Sequence, residues 1–191
     1  MPNKNNYFFG QITYAYHYES ETLDIDSISN LKPRIGIFRY DLENYQSQFI
    51  GPDTTTYYYV GRVHKVAYMD KNGNYECEDY GFPTDSIITF KKYETDIKIL
   101  GQPIKVLEFQ SKLFWTRYYV SKDLKISPKT YKDHIAYNMS FYGHQTDGGL
   151  ILRVVHKFKN YTMIGEVISL EPFEDEFSAL QLANYPLCLK E

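Results

Sequence analysis

Tyrosine at every second position is the feature that most narrows what this chain can fold into. Tyr14, Tyr16 and Tyr18 alternate in one segment, and Tyr57 and Tyr59 in another. A period of two puts such side chains on one face of a β-strand. With 20 tyrosines in 191 residues, the pattern recurs from strand to strand. The expected product is an antiparallel sheet with one face carpeted by rings, which meet apolar matter with their carbon and water with their hydroxyls. Such a face suits binding better than bond-making.

The remaining pattern is mostly extended. Phe8 to Glu19 alternates as a first strand, and a polar loop with room for one helical turn covers Glu21 to Asn30. Strands follow at Arg34 to Leu42 and Tyr45 to Ile50, then a long Tyr, Val and Thr run from Thr55 to Met69. Asp70-Lys71-Asn72-Gly73-Asn74 closes a hairpin, because Asn-Gly accepts the positive φ angles of a type I′ turn. The same oxygens do not make an EF-hand, whose glycine would stand elsewhere. Further strands are expected at Ser86 to Tyr93, at Lys98 to Gln110 with a break at Gly101 to Pro103, and at Leu113 to Val120. The last of these has apolar residues on both faces, which predicts a central strand covered on both sides. Leu150 to Phe158 pairs with Tyr161 to Leu170 across a tight turn.

One segment has a different period. Ser127 can cap a helix, Pro128 suits its first position, and Tyr131, Ile135 and Met139 recur at i, i+4 and i+8. This predicts one principal helix over about 128–142, with a second, short one at Phe177 to Leu182. The fold class expected is mainly β, a β-rich α+β chain. No Pro/Gly/Ser-rich linker divides it, so residues 1–191 read as a single domain.

Several function classes are disfavoured. The net charge of −3 is mild, and the 21 Lys and Arg residues are scattered rather than gathered along a stripe, so no nucleic-acid partner is expected. The most apolar segment, Gly149 to Val155, is interrupted by Arg153, so no transmembrane segment is expected. Met1 to Asn6 is polar rather than a leader; localisation is therefore periplasmic or envelope if an upstream signal was removed, otherwise cytoplasmic. Cys77 and Cys188 are too few and too far apart for a zinc framework; two separate thiols and one bridge both stay open.

Catalytic signatures are missing as well. No Gly-x-Ser-x-Gly elbow is present, and His17, His64, His134, His144 and His156 show no His-x-x-x-His or Glu-x-x-His spacing. Glu108 and Glu166 interrupt apolar strands and are the carboxylates an enzymatic reading would use; it requires them to face inward beside a histidine. The expectation is a non-enzyme with no cofactor and no metal.

The order of elements in the second half carries a resemblance. Lys98-Ile99-Leu100-Gly101, then Phe114-Trp115-Thr116, Ser127-Pro128, a helix, Asp147-Gly148-Gly149-Leu150-Ile151-Leu152 and a strand at Ile164 to Leu170 follow one another. Over roughly residues 84–171 this is similar to the LolA-like superfamily of periplasmic lipoprotein carriers, small secreted envelope proteins of Gram-negative bacteria. A cysteine often found in that family after the Ile-x-Gly element is replaced here by Gln102-Pro103-Ile104-Lys105. The resemblance implies a curved antiparallel sheet forming an incomplete β-barrel, with the helix on its concave side and an apolar cavity for acyl chains.

The two lines of reasoning meet in one expectation: a binding or carrier protein of the cell envelope that holds lipid or the acyl chains of a lipoprotein. Tyr14, Tyr16, Tyr57, Tyr59 and Trp115 from strands, with Ile135 and Met139 from the helix, are the candidate cavity residues. The alternative is an aromatic-rich β interaction module that binds a protein or glycan and has no internal cavity, presenting a flat exposed patch.

Overall fold

The structure, a computed structural model, describes residues 7–69 and 74–173. Two antiparallel meanders build it. The first comprises β1 (Gly10–Glu19), β2 (Ile35–Tyr40), β3 (Tyr45–Ile50), β4 (Thr55–Val60), β5 (Lys65–Met69) and β6 (Tyr75–Asp79). The second comprises β7 (Ile87–Ile99), β8 (Gln102–Ser111), β9 (Trp115–Lys125), β10 (Gly149–Lys157) and β11 (Thr162–Pro172). Pairing of β1 with β11 fuses them into one 11-stranded sheet ordered β6-β5-β4-β3-β2-β1-β11-β10-β9-β8-β7. Strands β6 and β7 form its two edges, so the sheet is not closed into a barrel.

The sheet is strongly curved. Tyr57 on β4 and Tyr118 on β9 line the same cleft, yet six strand spacings separate them in the order of the sheet. At about 4.8 Å per spacing a flat sheet would hold them about 29 Å apart. Bending brings the two ends of the face around a common hollow.

The concave side is covered by the segment that follows β9. It contains α2 (Pro128–Tyr131), a 3₁₀ turn at Ala136–Asn138 and α3 (Met139–Thr146). Ser127 caps α2 by accepting from the Lys129 amide, with Pro128 in the first turn. Another helix, α1 (Ile25–Ser29), sits in the β1–β2 loop, where Asp24 accepts from the Ser27 amide.

The continuous helix expected over 128–142 is thus broken, although neither proline nor glycine lies at the break. The cause is tertiary. The amides of Ile135 and Ala136 both donate to the carbonyl of Tyr80, and the Tyr137 amide donates to Thr84 Oγ1, so these donors leave the helical ladder. Tyr137 and Asn138 then take positive φ angles of 54° and 60°, costly for the tyrosine and tolerated by the asparagine, and the chain restarts as α3. Gly143 lets the two helices close up: a Cβ there would stand 1.9 Å from the Tyr131 ring.

Two other expectations change in detail. The separate strands at 86–93 and 98–100 are one long strand, β7, with a register slip between Glu94 and Lys98. The break at Gly101 is the β7–β8 hairpin turn itself, with Leu100 and Gly101 at φ of 48° and 77°. β9 does lie inside the sheet, but only its Tyr118 and Val120 face is buried; Leu113, just before it, is exposed and Trp115 half-exposed. The Asn-Gly turn at 70–73, the short helix at 177–182 and the state of Cys188, with its relation to Cys77, lie outside the described residues.

The main core lies between the sheet and the helical segment. Ile12, Leu107, Val120 and Leu152 are fully buried and share one cluster with Ile126, Tyr131 and Tyr142. Burial of such side chains contributes about 1.5–3 kcal/mol each. Among the described residues no helix is long and apolar enough to cross a membrane.

Candidate functional site

The core does not fill the concave face. Between the β1–β5 half of the sheet, the β9–β11 half and the helical segment lies a cleft of about 530 Å³. That volume falls within the roughly 300–1,000 Å³ of small-molecule sites.

Strand register explains its aromatic lining. Tyr14 stands opposite Gly36, Tyr40 opposite Tyr45, Tyr45 opposite Tyr59, and Ser47 opposite both Phe38 and Tyr57. Every ring on this face therefore has ring neighbours. Phe38 meets Tyr14 at 5.4 Å and Phe49 at 5.6 Å, both edge to face, and Phe49 meets Tyr57 at 6.0 Å. These are the separations and angles favoured by the aromatic quadrupole.

Tyr16 lies flat on the sheet because two neighbouring positions have no side chain. A Cβ at Gly36 would come within 2.7 Å of its ring, and one at Gly165, its partner on β11, within 2.5 Å. The two glycines make the bed in which this ring rests.

The hydroxyl of Tyr14 in the cleft, and those of Tyr18 and Tyr142 outside its lining, are turned into the protein. Tyr14 donates to the Ile151 carbonyl at 2.6 Å, Tyr18 to the Pro33 carbonyl at 2.7 Å, and Tyr142 to the Gly149 carbonyl. What faces the hollow is chiefly ring carbon. Burial, reinforced by neighbouring phenols, holds the Tyr14 and Tyr16 hydroxyls well above their ordinary pKa.

Two histidines also line the cleft. His156 has its Nδ1 2.8 Å from Thr116 Oγ1, and burial lowers its pKa to about 4. His134 stacks on Tyr59 at 4.5 Å and on Tyr80 at 5.0 Å, and burial lowers its pKa to about 3. Both rings are neutral at physiological pH. Among the described residues, no Asp, Glu, Lys or Arg lines the cleft.

Of the residues singled out in the sequence, the cleft brings together Tyr14, Tyr16, Tyr57 and Met139. Tyr59 is fully buried and supports His134 from within the core. Trp115 lies on the other side of the sheet, where the Arg117 guanidinium covers its ring at 4.8 Å. Ile135 is exposed, because the break in the helix turns it away from the sheet.

The carboxylates of the enzymatic reading are elsewhere. Glu108 pairs with Lys91 at 2.9 Å and Arg117 at 2.8 Å, and Glu166 pairs with Arg153 at 2.6 Å. Their strand positions alternate with Tyr118 and Gly165 of the cleft face, so neither stands beside His134 or His156. No group of three His, Cys, Asp or Glu among the described residues could hold a metal ion.

Phe38, Phe49 and Tyr45 were not singled out from sequence. Their signal was present: Phe38 and Tyr40, and Tyr45 and Phe49, keep the same period as the tyrosines. His134 carried none, since it sits in a polar stretch and depends on contacts with β3, β4 and Tyr80.

No family model and no curated protein matches the chain. Solved structures similar to it include PNGF-II in the P21 space group, 16% identical over 86% of this chain with a TM-score of 0.47. PNGF-II in the C2 space group is 14% identical over 87% of this chain, with a TM-score of 0.49. The chain spans 28% of the length of those proteins. At that distance the likeness bears on neither ligand nor activity.

Proposed function

We propose that this protein is a non-enzymatic binding protein of the cell envelope that carries lipid or the acyl chain of a lipoprotein in its aromatic cleft. The observation that supports the reading is a hollow of about 530 Å³ lined by ring carbon and aliphatic side chains, with no charged side chain among the described residues. An acyl chain leaving water for such a surface gains about 0.8 kcal/mol per methylene. The LolA-like order of elements fits the same reading. A flat module for protein or glycan is less well supported, because the rings surround a concavity rather than form an exposed patch.

Organic extraction of the protein purified from its native host, followed by mass spectrometry, tests it. The expected result is acyl lipid in near-stoichiometric amount, reduced when Ser47→Phe fills the cleft between Phe38 and Tyr57. Extracts no richer in lipid than those of a control protein would overturn the reading.

A further inference from the structure

We infer that the cleft selects an uncharged ligand, and that His134 is the residue that hydrogen-bonds its polar group, a hydroxyl or an ester carbonyl. The inference rests on the proposal that the cleft holds an acyl chain, and adds which end-group the site accepts.

Two observations carry it. First, the cleft offers no charge to an ionic head-group: among the described residues its polar lining is tyrosine, serine, threonine and two histidines. A carboxylate drawn into this hollow would lose its water and meet no cation, which is strongly unfavourable. Arg117 and Arg153, next in sequence to Tyr118 and Val154 of the lining, are committed to Glu108 and Glu166.

Second, His134 is 1% exposed, and neither ring nitrogen has a hydrogen-bond partner among the described residues. A neutral imidazole always carries one N–H donor and one acceptor nitrogen. Buried polar groups of this kind are nearly always paired, so a pair left open on the wall of a cleft points to a group that arrives with the ligand. The rings packed on His134, from Tyr45, Tyr59 and Tyr80, stack against it rather than bond to it. Burial keeps it uncharged. A neutral hydroxyl complements such a ring in either tautomer, and an ester carbonyl complements its N–H.

Displacement of the neutral dye Nile red from the full chain at pH 8 tests this with 1-dodecanol, dodecane and dodecanoate, which is ionised there. The alcohol is expected to displace the dye at a concentration at least about tenfold below that of the acid. His134→Phe is expected to weaken the alcohol about three- to tenfold while leaving dodecane unchanged. Equal potency of acid and alcohol would overturn the selection of uncharged ligands. An unchanged alcohol affinity in the variant would overturn the role of His134. ¹⁵N shifts of the wild-type imidazole supply a reading that needs no variant: dodecanol should move a His134 nitrogen, and no movement would also overturn its role. If the dye binds but no twelve-carbon probe displaces it, the acyl-chain reading itself fails, and the inference with it.

Discussion

His134 lies against Tyr59 with ring centroids 4.5 Å apart and planes 18° apart, and neither the imidazole nitrogens nor the Tyr59 hydroxyl has a hydrogen-bond partner among the described residues. The pair joins the helical segment to β4 through ring faces alone. Thr130 Oγ1 and Asn138 Nδ2 of the same segment are likewise buried without a partner among the described residues.

This arrangement makes the fold acid-sensitive. Burial holds His134 at about 3 and His156 at about 4, below the ordinary histidine value near 6.5. As pH falls below about 6.5 the unfolded chain takes up protons that the folded chain refuses, so stability is full above that pH and is lost toward the folded values. Each unit of depression is worth about 1.4 kcal/mol. Urea midpoints measured from pH 7 to pH 4 should fall steadily, and His134→Phe should flatten the slope while changing stability at pH 7 by no more than about 1 kcal/mol.

At the alkaline end the sign reverses. Burial, followed by the fields of neighbouring phenols where these contribute, raises the hydroxyls of Tyr14, Tyr40, Tyr45, Tyr118 and Tyr142 above the ordinary 10. A raised folded pKa gives stability that is complete below pH 10 and lost as pH rises beyond it. Absorbance at 295 nm should show the exposed tyrosines ionising first and reversibly. The buried group should ionise only together with the loss of far-ultraviolet circular dichroism.

Tyr16 and Gly165 should be energetically coupled. A methyl at Gly165 would meet the Tyr16 ring at 2.5 Å and Val154 Cγ1 at 2.9 Å, so Gly165→Ala should cost about 1–3 kcal/mol in chemical denaturation. In a Tyr16→Ala background the same change should cost less, and a double-mutant cycle gives the difference. Additive costs would mean that the ring does not need the space above the glycine.

Tyr14→Phe removes the hydroxyl that reaches from β1 across β11 to the Ile151 carbonyl of β10. The expected loss is about 1 kcal/mol in thermal or urea unfolding. Binding of an apolar dye should be unchanged, because the ring face presented to the cleft stays the same.

The strands were largely legible. Period-two tyrosines marked β1 and β4, and turn residues marked the β10–β11 hairpin, because both signals are carried within a few neighbouring residues. Of the residues read as cavity lining, Tyr14, Tyr16, Tyr57 and Met139 do lie together around the cleft. Trp115 shows the limit of that reasoning. Alternation says that it and Tyr118 face opposite ways, but which face is concave depends on how eleven strands bend. The helical period of Tyr131, Ile135 and Met139 was likewise real as a local preference. It lost to hydrogen bonds that Ile135 and Ala136 make with Tyr80, far away in the chain.

By itself, then, the sequence determined that this is an aromatic antiparallel sheet with its principal helical segment after β9, because strand faces, turns and caps are short-range physics. Only the tertiary structure decided that β1 would pair with β11 and that His134 would leave its helix to stand in the wall of the cleft. Those outcomes depend on partners brought together from distant parts of the chain. No local pattern encodes which of many rings will meet across a fold.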